Sequence, residues 1–272
     1  SWLPKPVSVA AVAPGVVAAV SGSSMETLLN PLELSPLMWV GGYVAKTAAL
    51  AIWDLAVGFI VKSSGAPKLP TTDKLKGLPE LQQLDYIYLA VNSVIEYIFM
   101  LGIMSYAWTS PDVGRRVEDL GLLNTLVALW VIFVVDDFFY TPCHLLMHTK
   151  ALYKYVHKHH HRQNLPTRGY PDAGNEHPIE QVIGMSCVWG ALLVTSKLVG
   201  LHAATVLIYF GLYAALAMLN HMRYDVTFNA LGFTYSVRCH EMHHRFPRCN
   251  YAQYFMLWDK LLGTYRDYEV PK

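Results

Sequence analysis

The stretch HLLMHTKALYKYVHKHHH, residues 144–161, contains six of the twelve histidines of this 272-residue chain. In a helical phase, His144 and His148 lie one turn apart on one face, and three histidines of HKHHH (157–161) converge in the same way. The second spacing returns in HEMHH (240–244). Two such motifs beside an HxxxH pair rarely arise by chance, so the pattern predicts a poly-histidine metal site. The eight motif histidines are His144, His148, His157, His160, His161, His240, His243 and His244.

The number of histidines indicates two metal ions rather than one. Neutral imidazole is the commonest protein ligand for transition metals, and a catalytic zinc needs only three protein ligands and a water. His221 is a ninth candidate ligand, with a satisfied core histidine as the alternative, and His177 is a further one. An all-imidazole shell with open positions favours iron over magnesium or calcium, which prefer oxygen ligands. Two adjacent irons could bind dioxygen as a co-substrate and give an oxidant that attacks an unactivated C–H bond.

The composition predicts an integral membrane protein with a single domain. Hydrophobic residues make up 53% of the chain and charged residues 15%, whereas soluble domains are about one quarter charged. The net charge of +1 and the lack of a long basic run give no support for nucleic-acid binding. A membrane setting makes the substrate lipid-like. The predicted spans are about residues 37–62, 85–108, 120–143, 179–199 and 201–219, within a domain of residues 37–272.

Residues 1–36 are predicted to form an N-terminal arm outside this domain. The chain begins at Ser1 without a methionine, and residues 1–25 contain one Lys, no acidic residue and many Ala, Val and Ser. This composition fits either the remnant of a targeting segment or a disordered arm, and both alternatives stay open.

The fourth and fifth spans return the chain to the face that carries the first histidines. Only Gly200 and its neighbours separate these spans, so they form a tight helical hairpin, and HEMHH can meet the histidines of residues 144–177. The histidine side carries fifteen Lys and Arg residues and the other side four, which by the positive-inside rule places the histidines on the cytosolic face. The predicted fold is therefore all-α, a membrane helical bundle with a cytosolic-face helical cap that holds the di-metal site.

Two charged residues interrupt the first span. Lys46 and Asp54 lie eight residues apart, so one helix face carries both. Charged groups inside membranes pair with one another or line cavities, and Glu96 in the second span is a candidate partner for Lys46. A structural ion pair and a role in substrate binding both remain open.

Carboxylates near the motifs are candidates to accept the outer N–H of a ligating imidazole, which fixes the orientation of the ring. They are Asp136, Asp137, Glu180, Asp225 and Glu241, with helix capping or surface ion pairing as alternatives. Asp137 and Asp225 are the preferred pair. Neighbouring aromatic residues are expected to wall the site or to form an interfacial belt. These aromatic residues are Phe138, Phe139, Tyr140, Tyr224, Tyr235, Tyr251 and Tyr254, while Trp258 and Asp259 are interpreted as a structural closure of the tail.

HLLMH, HKHHH and HEMHH, in this order and spacing, resemble the histidine motifs of the fatty acid hydroxylase/sterol desaturase superfamily of membrane di-metal oxidases. The Asp136-Asp137 pair before FFYTPCH resembles the approach to the first motif of that family. The segment from His177 to Glu180 resembles its HPxE element, and the segment from His221 to Asp225 resembles its HxGYD element. The tail NYAQYFMLWDKLLGTYR resembles its NYG…WDxxxGTxR ending, so the resemblance covers residues 120–268.

The resemblance implies two iron ions, dioxygen and electrons from separate partners, namely a cytochrome-type carrier and an NAD(P)H reductase. It implies hydroxylation or desaturation of a lipid, such as a sterol or a fatty acyl chain, without deciding between the two reactions. The endoplasmic reticulum membrane is the usual location in the family, and the N-terminal arm keeps a mitochondrial or plastid membrane open.

Two positions depart from the family pattern. The first motif usually reads HRxxH, and Leu145 replaces the basic residue here; Arg223 stands where a glycine is common. Neither departure removes a ligand.

Two other functions remain as alternatives. One is a non-catalytic subunit of a larger membrane complex that retains the fold. The other is a metal transporter, which predicts ionisable residues along several spans, whereas these histidines cluster at span ends.

Overall fold

The computed structural model describes residues 31–71, 80–230 and 232–271. Residues 1–30 of the predicted arm therefore lie outside the described residues. The α-helices in chain order are α1 (Pro36–Ser63), α2 (Gln83–Thr109), α3 (Leu122–Met147), α4 (Tyr170–Ala173), α5 (Pro178–Val199), α6 (Ala203–Asn220), α7 (Val237–Arg245) and α8 (Leu257–Leu262). Short 3-10 helices cover Pro31–Glu33, Val117–Asp119 and His160–Arg162.

Five of these helices are long and apolar enough to cross a membrane, namely α1, α2, α3, α5 and α6. They correspond to the five predicted spans. Their outward-facing side chains include Leu37, which is 81% exposed, and Leu55, which is 73% exposed. Apolar faces of this extent are unfavourable in water and favourable in lipid. The predicted integral membrane helical bundle is confirmed.

The centre of the bundle is the packing of α3 against α5. Ala128 on α3 and Ala191 on α5 are completely buried, and small residues of this kind let two helix backbones approach closely in a membrane. Tyr209 of α6 is also fully buried, and its hydroxyl donates to Asp136 Oδ2 at 3.1 Å. This polar contact satisfies both groups inside the apolar core.

Two small sheets, which the sequence analysis did not predict, lie at opposite ends of the bundle. At the end remote from the histidines, β1 (Val113–Gly114) pairs in parallel with β2 (Leu201–His202). Gly200, between α5 and β2, has a φ of 73°, a left-handed conformation that glycine adopts without strain. At the histidine end, the antiparallel hairpin of β3 (Thr227–Ala230) and β4 (Phe233–Ser236) leads directly into α7. The tight connection between α5 and α6 returns the chain to the histidine end, as predicted.

The segment between α3 and α4 differs from its prediction as a regular helix. The His157 N–H donates to Tyr153 O, four residues back, whereas the Lys158 N–H donates to the same carbonyl from five residues away. Only His160–Arg162 forms a short 3-10 helix. Because the hydrogen-bond spacing changes along the segment, its side chains no longer share one helical face, and tertiary packing places each histidine separately.

Candidate metal centre

The motif histidines and His221 lie in two buried groups at the cytosol-facing end predicted for the bundle. Within each group, one ligand nitrogen from every ring lies within 4.8 Å of the others. The first histidine group is His144, His148, His157, His161 and His243, and the second histidine group is His160, His221, His240 and His244. Only His148 is half-buried, and the other eight rings are buried.

Each HxxHH motif is divided between the two groups. His157 and His161 belong to the first group, whereas His160, which lies between them in the chain, belongs to the second. In the same way α7 sends His243 to the first group and His240 and His244 to the second. The two motifs therefore lie between the two groups and supply ligands to both, so a shared spacing within a motif does not place its histidines in one group.

In the first group the Nε2 atoms point at one another. His144 Nε2 lies 2.9 Å from His157 Nε2. His243 Nε2 lies 3.2 Å from His148 Nε2 and 3.0 Å from His161 Nε2. A metal–nitrogen bond of about 2.1 Å places two nitrogens on one ion about 3 Å apart, so these separations fit rings that share an ion.

Hydrogen bonds on the outer side of the rings fix which nitrogen faces inward. His144 Nδ1 lies 2.7 Å from Tyr251 O, and His243 Nδ1 lies 2.8 Å from Cys249 O. A carbonyl only accepts, so both Nδ1 atoms carry the proton and both Nε2 atoms present a lone pair. His157 Nδ1 lies 2.6 Å from Glu180 Oε1, a contact by which the carboxyl group fixes the orientation of the ring.

The second group is built in the same way with fewer outer contacts. His240 Nε2 lies 3.2 Å from His221 Nε2 and 3.0 Å from His244 Nε2. His221 Nδ1 donates to Ala217 O at 2.8 Å, one turn back on α6. The Nε2 atom of His221 is therefore unprotonated and carries a lone pair. The Nδ1 atom of His244 is buried without a hydrogen-bond partner among the described residues, as is the Nδ1 atom of His161 in the first group.

The nitrogen–nitrogen distances and the unpartnered nitrogens show whether the two groups are suited to bind metal ions. Lone pairs that face one another near 3 Å with no proton between them repel, and buried imidazole nitrogens without partners are costly. A cation between the rings removes both penalties. Nine convergent imidazoles and no oxygen ligand among them are the donor set of a borderline transition metal such as iron. The residues therefore fit two ions.

Burial also keeps the rings neutral. Loss of hydration, followed by repulsion from His243, lowers the pKa of His148 to about 3. Loss of hydration lowers the pKa of His243 to about 4. In His160 and His240 the pKa is well below its usual value, because hydration is lost and neighbouring rings repel a second charge. Near neutral pH the imidazoles are therefore unprotonated, as ligands must be.

The C-terminal tail holds the first group through two carboxylates. Asp137 accepts backbone N–H groups from Gln253, Tyr254 and Phe255 at 2.7–3.1 Å. Asp259 accepts from Tyr251 N at 2.8 Å and from Ala252 N at 2.7 Å. Together they fix the loop whose Tyr251 carbonyl orients His144. The interpretation of Asp259 as a structural closure agrees with these contacts.

The two preferred carboxylates of the sequence analysis do not touch a ligand ring. Asp137 acts on the tail backbone, as described above, and Asp225 forms a bidentate pair with Arg238, with oxygen–nitrogen distances of 2.8 and 2.6 Å. Glu180 is the carboxylate that contacts a ring of the groups. In the sequence, the HPxE element pointed to Glu180. The residue lies in the first turn of α5, and its side chain is buried.

Three histidines lie outside both groups. His177 caps α5, since its Nδ1 accepts from Ile179 N at 3.2 Å, and its ring packs on Tyr88. His159 Nε2 lies 3.0 Å from Asp85 Oδ1. His202 lies at the remote end, with Nε2 donating to Arg116 O at 3.0 Å. His177 is therefore not brought together with the other candidate ligands.

Aromatic rings close the first group. Tyr251 contacts His144, His148 and His243, with ring centroids 5.3–5.7 Å apart, and Tyr140 lies 5.0 Å from His144. Tyr153, which the sequence analysis did not single out, stacks on His148 at 5.5 Å. Tyr153 lies between two histidine motifs, in a segment whose sequence pattern does not indicate which way its side chain points.

Arg223 occupies a left-handed backbone position with φ of 58°. This conformation explains why glycine suits the corresponding place in the HxGYD element. Here the side chain offsets the backbone strain, since Nε donates to Glu241 Oε2 at 3.2 Å and Nη2 donates to Leu69 O at 3.1 Å.

A cavity of about 440 Å³ opens beside the second histidine group. His160, His221 and His240 form part of its wall, whereas no member of the first group does. All five long helices contribute lining residues, and most of them are apolar, including Leu50, Met100, Met185 and Phe210. This size and character are typical of a site for a small apolar ligand.

Comparison with known proteins gives one family and several relatives. The sequence model of the fatty acid hydroxylase family matches residues 129–264, half of the chain. A cholesterol 25-hydroxylase-like protein of Danio rerio is 28% identical over 65% of this chain and 69% of its own length. A Delta(7)-sterol-C5(6)-desaturase of Nicotiana tabacum is 31% identical over 66% of this chain and 62% of its own. Methylsterol monooxygenase 1 of Rattus norvegicus is 31% identical over 48% of this chain and 44% of its own. No solved structure gives a significant match.

Proposed function

The chain belongs to the fatty acid hydroxylase family, and we propose that it is a membrane-bound di-iron oxygenase that hydroxylates or desaturates a lipid. Its relatives are named as sterol hydroxylases, monooxygenases and desaturases, which supports an oxidative reaction on a sterol or a related lipid. The observation that carries the proposal is the pair of buried groups in which imidazole lone pairs face one another beside an apolar cavity.

The first and second histidine groups would each hold one iron ion. Bound iron would supply the activation of dioxygen that attack on an unactivated C–H bond requires. The chain itself provides neutral imidazoles, orients several of them through carbonyl groups and Glu180, and buries eight of the nine rings. His177 is left out of the proposed ligand set, because its Nδ1 accepts the N–H of Ile179.

The cavity assigns a different task to each group. Since only the second group lines it, the substrate carbon that reacts would lie beside His160, His221 and His240. The apolar wall would hold the lipid body and exclude water. Electrons would come from a separate cytochrome-type carrier and an NAD(P)H reductase that reach the cytosolic face. We place the protein in the endoplasmic reticulum membrane, with mitochondrial and plastid membranes as alternatives.

Metal analysis of the purified full-length protein tests the proposal. We expect two coupled irons per chain by elemental analysis and by Mössbauer spectra after loading with iron-57. Replacing His160 and His161 by Ala removes one ligand from each group, so both ions should be lost. Absence of metal, or a single structural zinc, would sink the di-iron mechanism and favour a non-catalytic membrane subunit.

A reaction with isotopically labelled dioxygen separates the two chemical outcomes. With a reductase, a carrier and candidate sterols, hydroxylation transfers one labelled oxygen to the lipid. Desaturation instead removes two hydrogens and leaves no label. Mass spectrometry of the lipid distinguishes these products.

A further inference from the structure

A charged pair, Lys46 and Glu96, lies in the wall of the mostly apolar cavity. Lys46 of α1 and Glu96 of α2 form an ion pair at 2.8 Å between Nζ and Oε2, with side chains only 9% and 15% exposed. The predicted pairing is thus present, and both residues line the cavity that reaches the second histidine group. Two charges in an apolar wall within a membrane are costly unless they serve a ligand or a neighbouring group.

The hydrogen-bond donors of Lys46 are fully used. Its ammonium group has three N–H bonds, and three acceptors surround it: Ser93 O at 3.1 Å, Ser93 Oγ at 2.9 Å and Glu96 Oε2 at 2.8 Å. The lysine therefore has no N–H left for an anionic group in the cavity. Its charge is balanced by Glu96.

Glu96, by contrast, has acceptor positions that no described residue occupies. The Tyr170 hydroxyl donates its single hydrogen to Glu96, at 3.1 Å from Oε1 and 3.2 Å from Oε2. A carboxylate has about four acceptor positions. Among the described residues, Oε1 accepts from Tyr170 alone, so it retains a free lone pair. The hydroxyl oxygen of Tyr170, which also lines the cavity, can accept as well.

Backbone contacts hold Tyr170 in this position. Its N–H donates to Asp54 Oδ1 at 2.9 Å. The preceding Gly169 has φ of 69°, and an added Cβ would overlap both Asp54 Oδ1 and the end of the Met222 side chain. The Gly169 N–H donates to His221 O at 3.0 Å. One short segment therefore connects the charged pair in the cavity wall to a residue of the second histidine group.

Taking the proposed function as premise, we propose that Glu96, held by Lys46 and Tyr170, recognises the hydroxyl group of a neutral lipid alcohol whose apolar body fills the cavity. At this contact the donors of Lys46 and Tyr170 are already used and the free positions are acceptors, so the ligand group that reaches Glu96 must donate a hydrogen bond. A lipid carboxylate or phosphate offers only acceptors and is repelled by Glu96. A charged lipid amine would bring an additional charge into the cavity, where Lys46 already balances Glu96, and the loss of its hydration is costly. Ethers and ketones lack the hydrogen that Glu96 accepts.

Binding of matched probes to the iron-loaded full-length protein in nanodiscs tests this recognition without turnover. The probes are cholesterol and cholesterol methyl ether, hexadecanol and its methyl ether, and palmitate. We expect at least one alcohol to bind about 10- to 100-fold more tightly than its own ether, as expected for a hydrogen bond to a charged group. Palmitate should not displace that alcohol. Equal binding within both pairs, tighter palmitate binding or no binding of either alcohol would each overturn the proposal.

A paired variant separates ligand recognition from a purely structural ion pair. Replacing Lys46→Met together with Glu96→Leu removes both charges at similar volume, and such replacements are often neutral for folding. We expect unchanged iron content, as the check on folding, while the alcohol-to-ether ratio falls to near one. A ratio that stays at the wild-type value would show that the pair is only structural.

The matched control removes an ion pair at the remote end of the bundle. Lys197 and Asp112 pair there, and neither lines the cavity. The combined Lys197→Gln and Asp112→Asn variant should retain the wild-type ratio. If the wild-type protein holds no iron, the proposed function fails whatever the ratio; if iron is present and the ratio is one, only the hydroxyl recognition fails.

Discussion

The two histidine groups have similar ligands but different surroundings. In the first group, three of five rings are oriented from outside by Tyr251 O, Glu180 and Cys249 O. In the second group, His221 donates to Ala217 O, and the backbone of Asn175 is a hydrogen-bond partner of His160. The cavity reaches the second group and not the first.

This difference indicates a division of labour. Outer contacts fix the tautomer and direction of a ligating ring and raise its affinity for the metal. The first group is therefore held more firmly, by α5 and the C-terminal tail, and on our proposal it is the more rigid metal site. The second group has fewer hydrogen bonds to the outer side of its rings. It faces the cavity and, on our proposal, the substrate.

The largest expected effect is the loss of a ligand from either group. His144→Ala in the first group and His240→Ala in the second should each lower product formation more than about 100-fold, since removing a ligand costs more than removing its outer contact. Each variant should keep roughly one iron, measured by elemental analysis. His202→Ala, remote from the site, should keep both ions and activity, and so should His177→Ala. Full iron content in either ligand variant would contradict the assignment of the groups.

A smaller effect is expected from the carboxylate that supports the first group. Glu180→Gln should lower iron affinity or activity about 10- to 100-fold, because the amide orients His157 less strongly. Titration against a competing chelator measures the affinity. Asp225→Asn is the matched control, since its partner Arg238 lies at the surface and such pairs contribute about 0–1 kcal/mol. The comparison fails if Asp225→Asn weakens iron binding as much as Glu180→Gln.

Chelation of the wild-type protein should separate the two ions. With fewer outer contacts and access through the cavity, the second group should release its ion about 10-fold faster than the first. Samples of iron-57-loaded protein are taken at successive times after a chelator is added, and their Mössbauer spectra give the rate at which each ion is lost. His240→Ala should show the slow phase alone and His144→Ala the fast phase. A single common rate would remove the proposed difference in rigidity.

The smallest effect on the chemistry is expected at the anchor of the tail. In Asp137→Asn, one oxygen that accepts backbone N–H groups becomes a donor that faces them, at a cost of about 2 kcal/mol. We expect a lower thermal midpoint in detergent, with iron first lost from the site that contains His144. Asp267→Asn, in an exposed contact with Tyr265, is the control. Unchanged stability of Asp137→Asn would show that the tail does not support the first group.

The sequence was sufficient for the features that depend on local patterns. Apolar blocks predicted the five long helices, because a segment that crosses lipid must be apolar along its length. Because charged groups inside membranes tend to pair, Glu96 in the second span was a candidate partner for Lys46, and the two residues form an ion pair. The resemblance of the histidine motifs led to the family that the comparisons support. Nine of the ten histidines named as candidate ligands from the sequence are brought together in the structure, and His177 is the exception.

The sequence could not decide features that depend on packing between distant segments. A spacing of i, i+3, i+4 predicts one shared helical face, yet His157 and His161 separate from His160 because their segment is not a regular helix and lies between two sites. Glu180 and Asp225 are equally acidic in sequence, and only the packing of α5 against the segment that carries His157 makes one of them a partner of a ring.

Residue types and their order thus determined that this chain is a membrane helical bundle with a cluster of histidines suited to metal binding. Tertiary structure decided which histidines share an ion, which carboxylate orients them and which group faces the cavity. The physical reason is that ligand geometry requires nitrogens within about 3 Å of one another. Such distances between residues remote in the chain are set by how helices and loops pack, which no local pattern records.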